Sequence, residues 1–176
     1  LCGSDGARCY HEFARALNAT GKWIMFHMCS WGTGQPNNWT AKTANLWRTS
    51  ADGRRSWESY MRSFDNTKPT LSMGGPGGWV LADGFFFDSN AGGLTSRERQ
   101  TLLSLWGMMP SAFMVDDFWP ALAANSSAVS MYTDPRILSI NQDPLGQPMR
   151  LLDDSQPGGS EYSNGRPCAA SPLRCC

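Results

Sequence analysis

In Asn45-Leu46-Trp47-Arg48-Thr49-Ser50-Ala51-Asp52 a carboxylate stands four residues after an arginine, where an apolar strand-like run gives way to a helix start. An acid placed there can face a substrate and transfer a proton, and the arginine can bind substrate or tune the acid's ionisation. The same two residues would also serve a plain ion pair, and Asp52 taken alone suits a helix N-cap equally well. Other acids sit in comparable places: Asp83 after Trp79-Val80-Leu81-Ala82, and Asp116-Asp117 after Ala112-Phe113-Met114-Val115. Cys29-Ser30-Trp31 closes another apolar run.

The elements that must position these groups follow from periodicity. Cys9 to Leu17 reads as a helix with Phe13, Ala14, Ala16 and Leu17 on a common face, capped by Gly21. Trp23 to Cys29 is a nearly continuous apolar run of strand length, as expected of a strand buried on both faces of a parallel sheet. His27 within it reads as a core histidine with its hydrogen bonds satisfied. Ala44 to Thr49 is the second expected strand, Thr70 to Met73 the third and Ala112 to Val115 the fourth. Helices are expected over Asp52 to Phe64, Thr95 to Met108 and Asp134 to Ile140, and Gly74-Gly75-Pro76-Gly77-Gly78 must be a loop. Strands alternating with helices imply βα units and a parallel sheet, and the candidate groups fall at strand ends.

The chain has 176 residues, which suits one domain, and its 15 basic and 15 acidic residues leave no net charge. With no basic, aromatic-interleaved stripe, no nucleic-acid partner is expected. Apolar runs are interrupted well short of a membrane span, so no membrane association is expected either. No spacing of the six cysteines matches a zinc site and two histidines cannot build a His-rich cluster, so no metal and no cofactor are expected. Cys168, Cys175 and Cys176 crowd the C-terminus, which points to disulfides and an oxidising compartment. The sequons at Asn18, Asn38 and Asn125 point the same way, toward a glycoprotein that is secreted, lysosomal or vacuolar. Eight tryptophans suit carbohydrate stacking, although large aromatics also fill ordinary cores.

Taken in order, Ala16-Leu17-Asn18-Ala19-Thr20-Gly21-Lys22, the 45–52 stretch, Gly75-Pro76-Gly77-Gly78-Trp79 and Ile140-Asn141-Gln142-Asp143-Pro144-Leu145-Gly146 resemble the α-galactosidase/α-N-acetylgalactosaminidase family, glycoside hydrolase family 27. The resemblance runs from about Tyr10 to Gly146. It implies the second half of a (β/α)8 TIM barrel over residues 1–150, followed by an irregular Cys-containing tail over 151–176. In such barrels the active site lies at the C-terminal ends of the strands. Either a second copy of the chain or a missing barrel half would have to close the open sheet edges.

The resemblance also implies chemistry. Family members are retaining exo-α-glycosidases that use two carboxylates about 5–5.5 Å apart. Asp52 matches the acid/base, whose pKa partial burial and a neighbouring nucleophile should raise. Arg48 matches the arginine that touches the sugar's 2-substituent, and Asp83 a second aspartate that binds sugar hydroxyls, although Val80, Leu81 and Ala82 replace polar residues and a proline of that motif. Asp88 is an alternative to Asp83. Ser30 resembles the pattern that leaves room for an acetamido group, with Thr33 where that pattern has a small residue. Trp31 could stack on the sugar ring or simply pack, and Asp116 and Asp117 read as structural support. The nucleophile is expected immediately before Leu1, two residues ahead of Cys2, with Asp5 as a rival. The family's disulfide partner for Cys29 is replaced by Ala44, which leaves Cys29 a buried free thiol or paired elsewhere. The implied partners are α-galactoside or α-N-acetylgalactosaminide glycans. Two other readings stay open: a catalytically inactive carbohydrate-binding or interaction relative, and a truncated product.

Overall fold

The computed structural model describes residues 6–33, 39–53, 55–87 and 93–150. Cys2, Asp5, Asp88 and the Cys-containing tail of the preceding analysis lie outside them.

The chain opens with helix α1 (Gly6–Ala19), which ends in a turn where Gly21 takes φ +67° and its amide donates to the Asn18 carbonyl at 3.1 Å. Three short parallel strands follow in sequence order, β1 (His27–Met28), β2 (Leu46–Arg48) and β3 (Trp79–Leu81). His27 pairs with Leu46, and Leu46 with Trp79. A 3-10 turn, Thr40–Lys42, precedes β2. Helix α2 (Trp57–Thr67) and a 3-10 segment, Lys68–Met73, connect β2 to β3. Helices α3 (Ser96–Met108), α4 (Trp119–Ala123), α5 (Ser126–Tyr132) and α6 (Pro135–Asn141) complete the described chain. Beyond β3, Phe85 and Val115 form one parallel bridge, with Phe85 N–H donating to Met114 O at 2.7 Å and Asp116 N–H to Phe85 O at 2.8 Å. The architecture is therefore a parallel, partial α/β fold. Among the described residues no helix is long and apolar enough to cross a membrane.

Side chains alternate across a strand, so the register sorts them onto two faces. Met28, Trp47 and Val80 share one face and are buried at 1%, 0% and 0% exposure in the same core as Tyr60, Phe85, Leu102 and Trp106. His27, Leu46, Arg48 and Leu81 share the opposite face. The core is largely aromatic: Phe85 lies 5.5 Å from Trp106 and from Phe113 and 5.1 Å from Phe87, while Tyr60 meets Trp106 edge-on at 5.9 Å.

Several expectations are corrected. The strand expected over Trp23–Cys29 forms only at His27–Met28, because among the described residues β1 has a strand neighbour on one side only; Trp23 is 91% exposed. Thr70–Met73 belongs to a 3-10 segment, not a strand: Pro69 stands in the first turn of that segment and the Thr70 hydroxyl donates to Thr67 O, so the chain keeps coiling. The third strand lies instead after the glycine turn, where Gly75 and Gly78 exchange both backbone hydrogen bonds around Pro76-Gly77. Ala112–Val115 supplies one bridge, not a strand. Helix α2 starts at Trp57, capped by the Ser56 hydroxyl, so Asp52 is not its N-cap. None of α1 is buried and Phe13 is 54% exposed, which leaves its expected apolar face largely open. Cys29 is free but exposed, not buried.

Thr95 and Glu98 form a reciprocal capping box at the start of α3. Thr95→Ala removes its hydroxyl half and should cost about 1 kcal/mol in urea unfolding. Phe85→Ala, which empties the centre of the aromatic core, should cost about 3–5 kcal/mol.

Candidate active site

Arg48 is the last residue of β2, and the sheet's parallel register carries its side chain onto the face away from the hydrophobic core. The residue is only 8% exposed. A guanidinium removed from water must find acceptors, and it finds three. Nη2 lies 3.1 Å from Asp83 Oδ2 and donates to Ser50 O at 3.1 Å, while Nη1 lies 3.2 Å from Asp52 Oδ1. Nε is buried with no partner among the described residues.

Asp83 follows β3 by two residues and is 6% exposed. Its Oδ2 also accepts from Gly53 N–H at 2.6 Å, its Oδ1 accepts from Gly84 N–H at 2.8 Å, and its backbone carbonyl accepts from Trp106 Nε1 at 3.0 Å. This carboxylate ties the ends of β2 and β3 together and fixes the segment that carries Asp52. A Cβ on Gly53 would stand 2.8 Å from Asp83 Oδ2, so glycine is what lets the amide come this close. The segment between Arg48 and Asp52 is anchored again at Thr49, whose amide donates to Leu81 O at 3.1 Å, and at Ser50, whose hydroxyl accepts from Asn66 Nδ2 at 3.2 Å.

Asp52 is the open member of the cluster, its side chain 72% exposed. The partial burial expected for the acid/base is thus absent: the acid is held by Arg48 on one side and meets solvent on the other. Ser30 and Trp31 arrive from the end of β1. Ser30 O accepts from Thr33 N–H at 2.8 Å in a turn where Trp31 takes φ +56° and Gly32 φ +75°. A Cβ on Gly32 would fall 2.5 Å from Thr49 O, so this turn lies directly on the end of β2. The Trp31 residue is 53% exposed. Arg48, Asp52 and Asp83 are brought into direct contact, whereas Ser30 and Trp31 adjoin the cluster through the Gly32–Thr49 packing.

Asp116 arrives from the Phe85–Val115 bridge, with its carboxylate directly over Gly84, where a Cβ would strike it. Burial first, then the negative charge of Asp83, pushes its carboxyl above the usual carboxylate range, with Arg48 opposing. Asp117 instead accepts from the Tyr132 hydroxyl at 2.7 Å. Desolvation, with that hydrogen bond second, pushes the Tyr132 phenol strongly up. His27 shares the Arg48 face; burial and the Arg48 charge lower its pKa, and its Nε2 is buried without a partner. The expectation that His27 is satisfied is therefore corrected: its pocket offers no acceptor or donor to that nitrogen among the described residues. Sequence reasoning did not find Ser50, Gly53 or Trp106, because their contributions to the site are a carbonyl, an amide and a distant indole N–H, which carry no local pattern.

A sequence model of the family described as Alpha galactosidase A matches residues 4–143. The chain belongs to the α-galactosidase family. Alpha-galactosidase 3 of Arabidopsis thaliana is 31% identical over 137 residues, covering 78% of this chain and 30% of that relative. The alpha-galactosidase of Cyamopsis tetragonoloba is 29% identical, covering 78% of this chain and 32% of its own length. Among solved structures, an α-galactosidase from Saccharomyces cerevisiae superposes with TM-score 0.69 at 25% identity, covering 88% of this chain and 39% of that one. The GH27 β-L-arabinopyranosidase of Geobacillus stearothermophilus shares the fold, with TM-score 0.67 at 19% identity, covering 77% of this chain and 34% of that one. This member of the α-galactosidase family spans about a third of the length of the curated relatives it matches.

Within this family member, Asp83 and Asp52 should separate sharply. Asp83→Asn leaves the buried Arg48 charge with only the exposed Asp52 as counter-charge and should cost about 3 kcal/mol in urea unfolding, whereas Asp52→Asn should change stability by less than about 0.5 kcal/mol. The His27 shift gives a pH signature. Its folded pKa lies below the unfolded value, so as pH falls through the ordinary imidazole range the unfolded chain takes up the proton first and stability drops. The urea midpoint should therefore fall between pH 7.5 and 5.5, and His27→Gln should flatten that slope.

Proposed function

We propose that this chain carries the proton-donor side of a retaining exo-α-glycosidase site acting on terminal α-galactosyl or α-N-acetylgalactosaminyl residues. The observation that carries the reading is the single guanidinium of Arg48, which joins Asp52 and Asp83 at the C-terminal ends of neighbouring parallel strands. In βα folds of this kind those ends are where substrates bind.

In this reading Asp52 gives a proton to the glycosidic oxygen as the bond to the sugar breaks, then takes one from the water that releases the sugar. Its exposed side leaves room for a leaving group, and Arg48 holds the other side in place. Arg48 supports the sugar near its 2-substituent. Asp83 holds Arg48 and the Gly53 amide; with both oxygens already occupied, it acts mainly by positioning. Ser30 and Trp31 form the rim on the β1 side, Ser30 leaving space for a 2-acetamido group and Trp31 offering its ring to the sugar. The nucleophilic carboxylate would come from outside the described residues, from Asp5 or from a segment preceding Leu1. The whole enzyme would form a closed (β/α)8 barrel, to which residues 1–150 contribute about the second half, in a secreted or lysosomal/vacuolar setting.

The decisive measurement compares an activated with an unactivated substrate. Asp52→Asn should lower kcat/KM for methyl α-galactoside by about 10²–10⁴-fold, and much less for p-nitrophenyl α-galactoside, whose leaving group needs little protonation. Equal losses on both substrates would remove Asp52 from the proton-donor role. Saturable galactose binding without turnover, abolished by Arg48→Gln, would establish the binding-protein reading in its place.

A further inference from the structure

A second concave feature lies at the other end of β2. A hollow of about 550 Å³ is lined by Arg8, His11, Ala14, Arg15, Asn18, Lys42 and Thr43. Residues 8, 11, 15 and 18 recur at three- and four-residue steps, which places them on one stripe of α1, and Lys42 ends the 3-10 turn facing it. A smaller hollow of about 180 Å³ shares Ala14, Asn18, Lys42 and Thr43 and continues to Leu17, Ile24, Phe26 and Asn45. The two form one groove: the basic side chains line the larger hollow, whose exposed surface is mostly carbon, and the exposed surface of the smaller one is mostly polar. Asn45 immediately precedes β2, whereas Arg48 closes it, so the groove is separate from the candidate active site.

The charge in this groove is a local excess, since the chain as a whole is neutral with 15 basic and 15 acidic residues. Glu12 meets Arg8 at 3.4 Å. Arg15 and Lys42 have no carboxylate partner among the described residues, and two like charges lining one hollow repel each other until an anion enters. The wall between them is already ordered. The Thr43 hydroxyl donates to Trp39 O at 2.7 Å and lies 2.9 Å from His11 Nδ1. With its proton spent on Trp39, that hydroxyl accepts, so His11 carries its hydrogen on Nδ1. The imidazole also meets the Trp39 ring edge-on at 5.5 Å. Such a wall needs little reorganisation to bind. The hollow's volume lies in the range of small-molecule sites, about 300–1,000 Å³, and exceeds what a bare oxyanion fills.

We propose that this groove is a second ligand site, for a small molecule that carries a phosphate or sulfate monoester on an uncharged, partly apolar body. The monoester lies between Arg15 and Lys42, with Arg8 behind it, and the body lies in the same hollow against Ala14 and the aliphatic stems of Arg15 and Lys42. Glycosidase chemistry at the opposite end of the strands gives no account of this arrangement.

The test is titration calorimetry on the 176-residue chain, produced in bacteria so that Asn18 carries no glycan, with phenyl phosphate, phenyl sulfate, inorganic phosphate and the neutral phenyl β-glucoside. Phenyl phosphate or phenyl sulfate should bind saturably, and which of them binds more tightly identifies the monoester the groove accepts. Inorganic phosphate should bind at least about tenfold more weakly, and raising the salt concentration should weaken all anion binding. Arg15→Gln combined with Lys42→Gln should lower affinity by about tenfold for each charge removed, since each charge-assisted hydrogen bond contributes of that order. Both side chains are exposed, so the urea midpoint of the double variant should stay where it was. Binding of the neutral glucoside as tight as that of the esters, no binding of either ester, or unchanged affinity in the double variant would overturn the proposal. Inorganic phosphate binding as tightly as phenyl phosphate would overturn the role of the larger hollow's apolar surface.

Discussion

Burying the Arg48 guanidinium is the constraint around which the described structure is arranged. A charge taken out of water at the end of β2 is tolerable only if acceptors converge on it. The chain supplies them from three places: the Ser50 carbonyl two residues on, the Asp83 carboxylate from the end of β3, and Asp52 from the mouth of the following loop. Asp83 in turn holds the Gly53 amide and Gly84, and Trp106 of α3 holds the Asp83 carbonyl. One buried ion pair thus fixes two strand ends, one loop and one helix relative to each other. The acid left in solvent is the one that chemistry would need free.

The sheet separates these polar demands from packing. On one face Met28, Trp47 and Val80 meet the aromatic core built by α2, α3 and the Phe85–Phe87 segment; on the other, Arg48 and His27 face away from it. Tyr60 and Trp106 belong to both sides of this division. Their rings fill the core, while the Tyr60 hydroxyl accepts from Phe86 N–H at 3.0 Å and the Trp106 N–H reaches Asp83. Burial drives the Tyr60 phenol well above its ordinary range, as suits a hydroxyl that works only as a neutral hydrogen-bonding group. A large aromatic with one polar atom can thus carry rigidity from the core to a charged cluster without introducing a further charge.

What the sequence disclosed follows the same division. The strand at Leu46–Arg48, the helix start at Thr95 and the glycine turn at 75–78 are local, and each was legible in a few residues. So was the proximity of Arg48 and Asp52, because their spacing along the chain sets it. The family resemblance put Asp83 and Arg48 at one site, but the ion pair between them was not legible, since it depends on β2 and β3 pairing in register. Thr70–Met73 was misread because its polar–apolar alternation, Thr-Leu-Ser-Met, imitates a strand over only four residues, and its coiling is set by Thr67 and Pro69 after α2. Trp23–Cys29 was misread because continuous hydrophobicity reports the burial a strand would have with neighbours on both sides, and β1 has one.

The unmet demands of the structure gather on the side of that edge. Trp23, Ile24 and Met25 approach β1 with 91%, 42% and 58% of their surface exposed, and His27 Nε2 and Arg48 Nε are the two nitrogens of the polar face that find no partner among the described residues. Exposed apolar surface and orphaned buried donors are opposite kinds of deficit, and a single structural event can resolve both. A parallel strand laid against β1 would cover the first and bring backbone or side-chain groups to the second. Within the Arg48 cluster, by contrast, the contacts that position Asp52 are already made, through Arg48 itself and through the Gly53 amide held by Asp83.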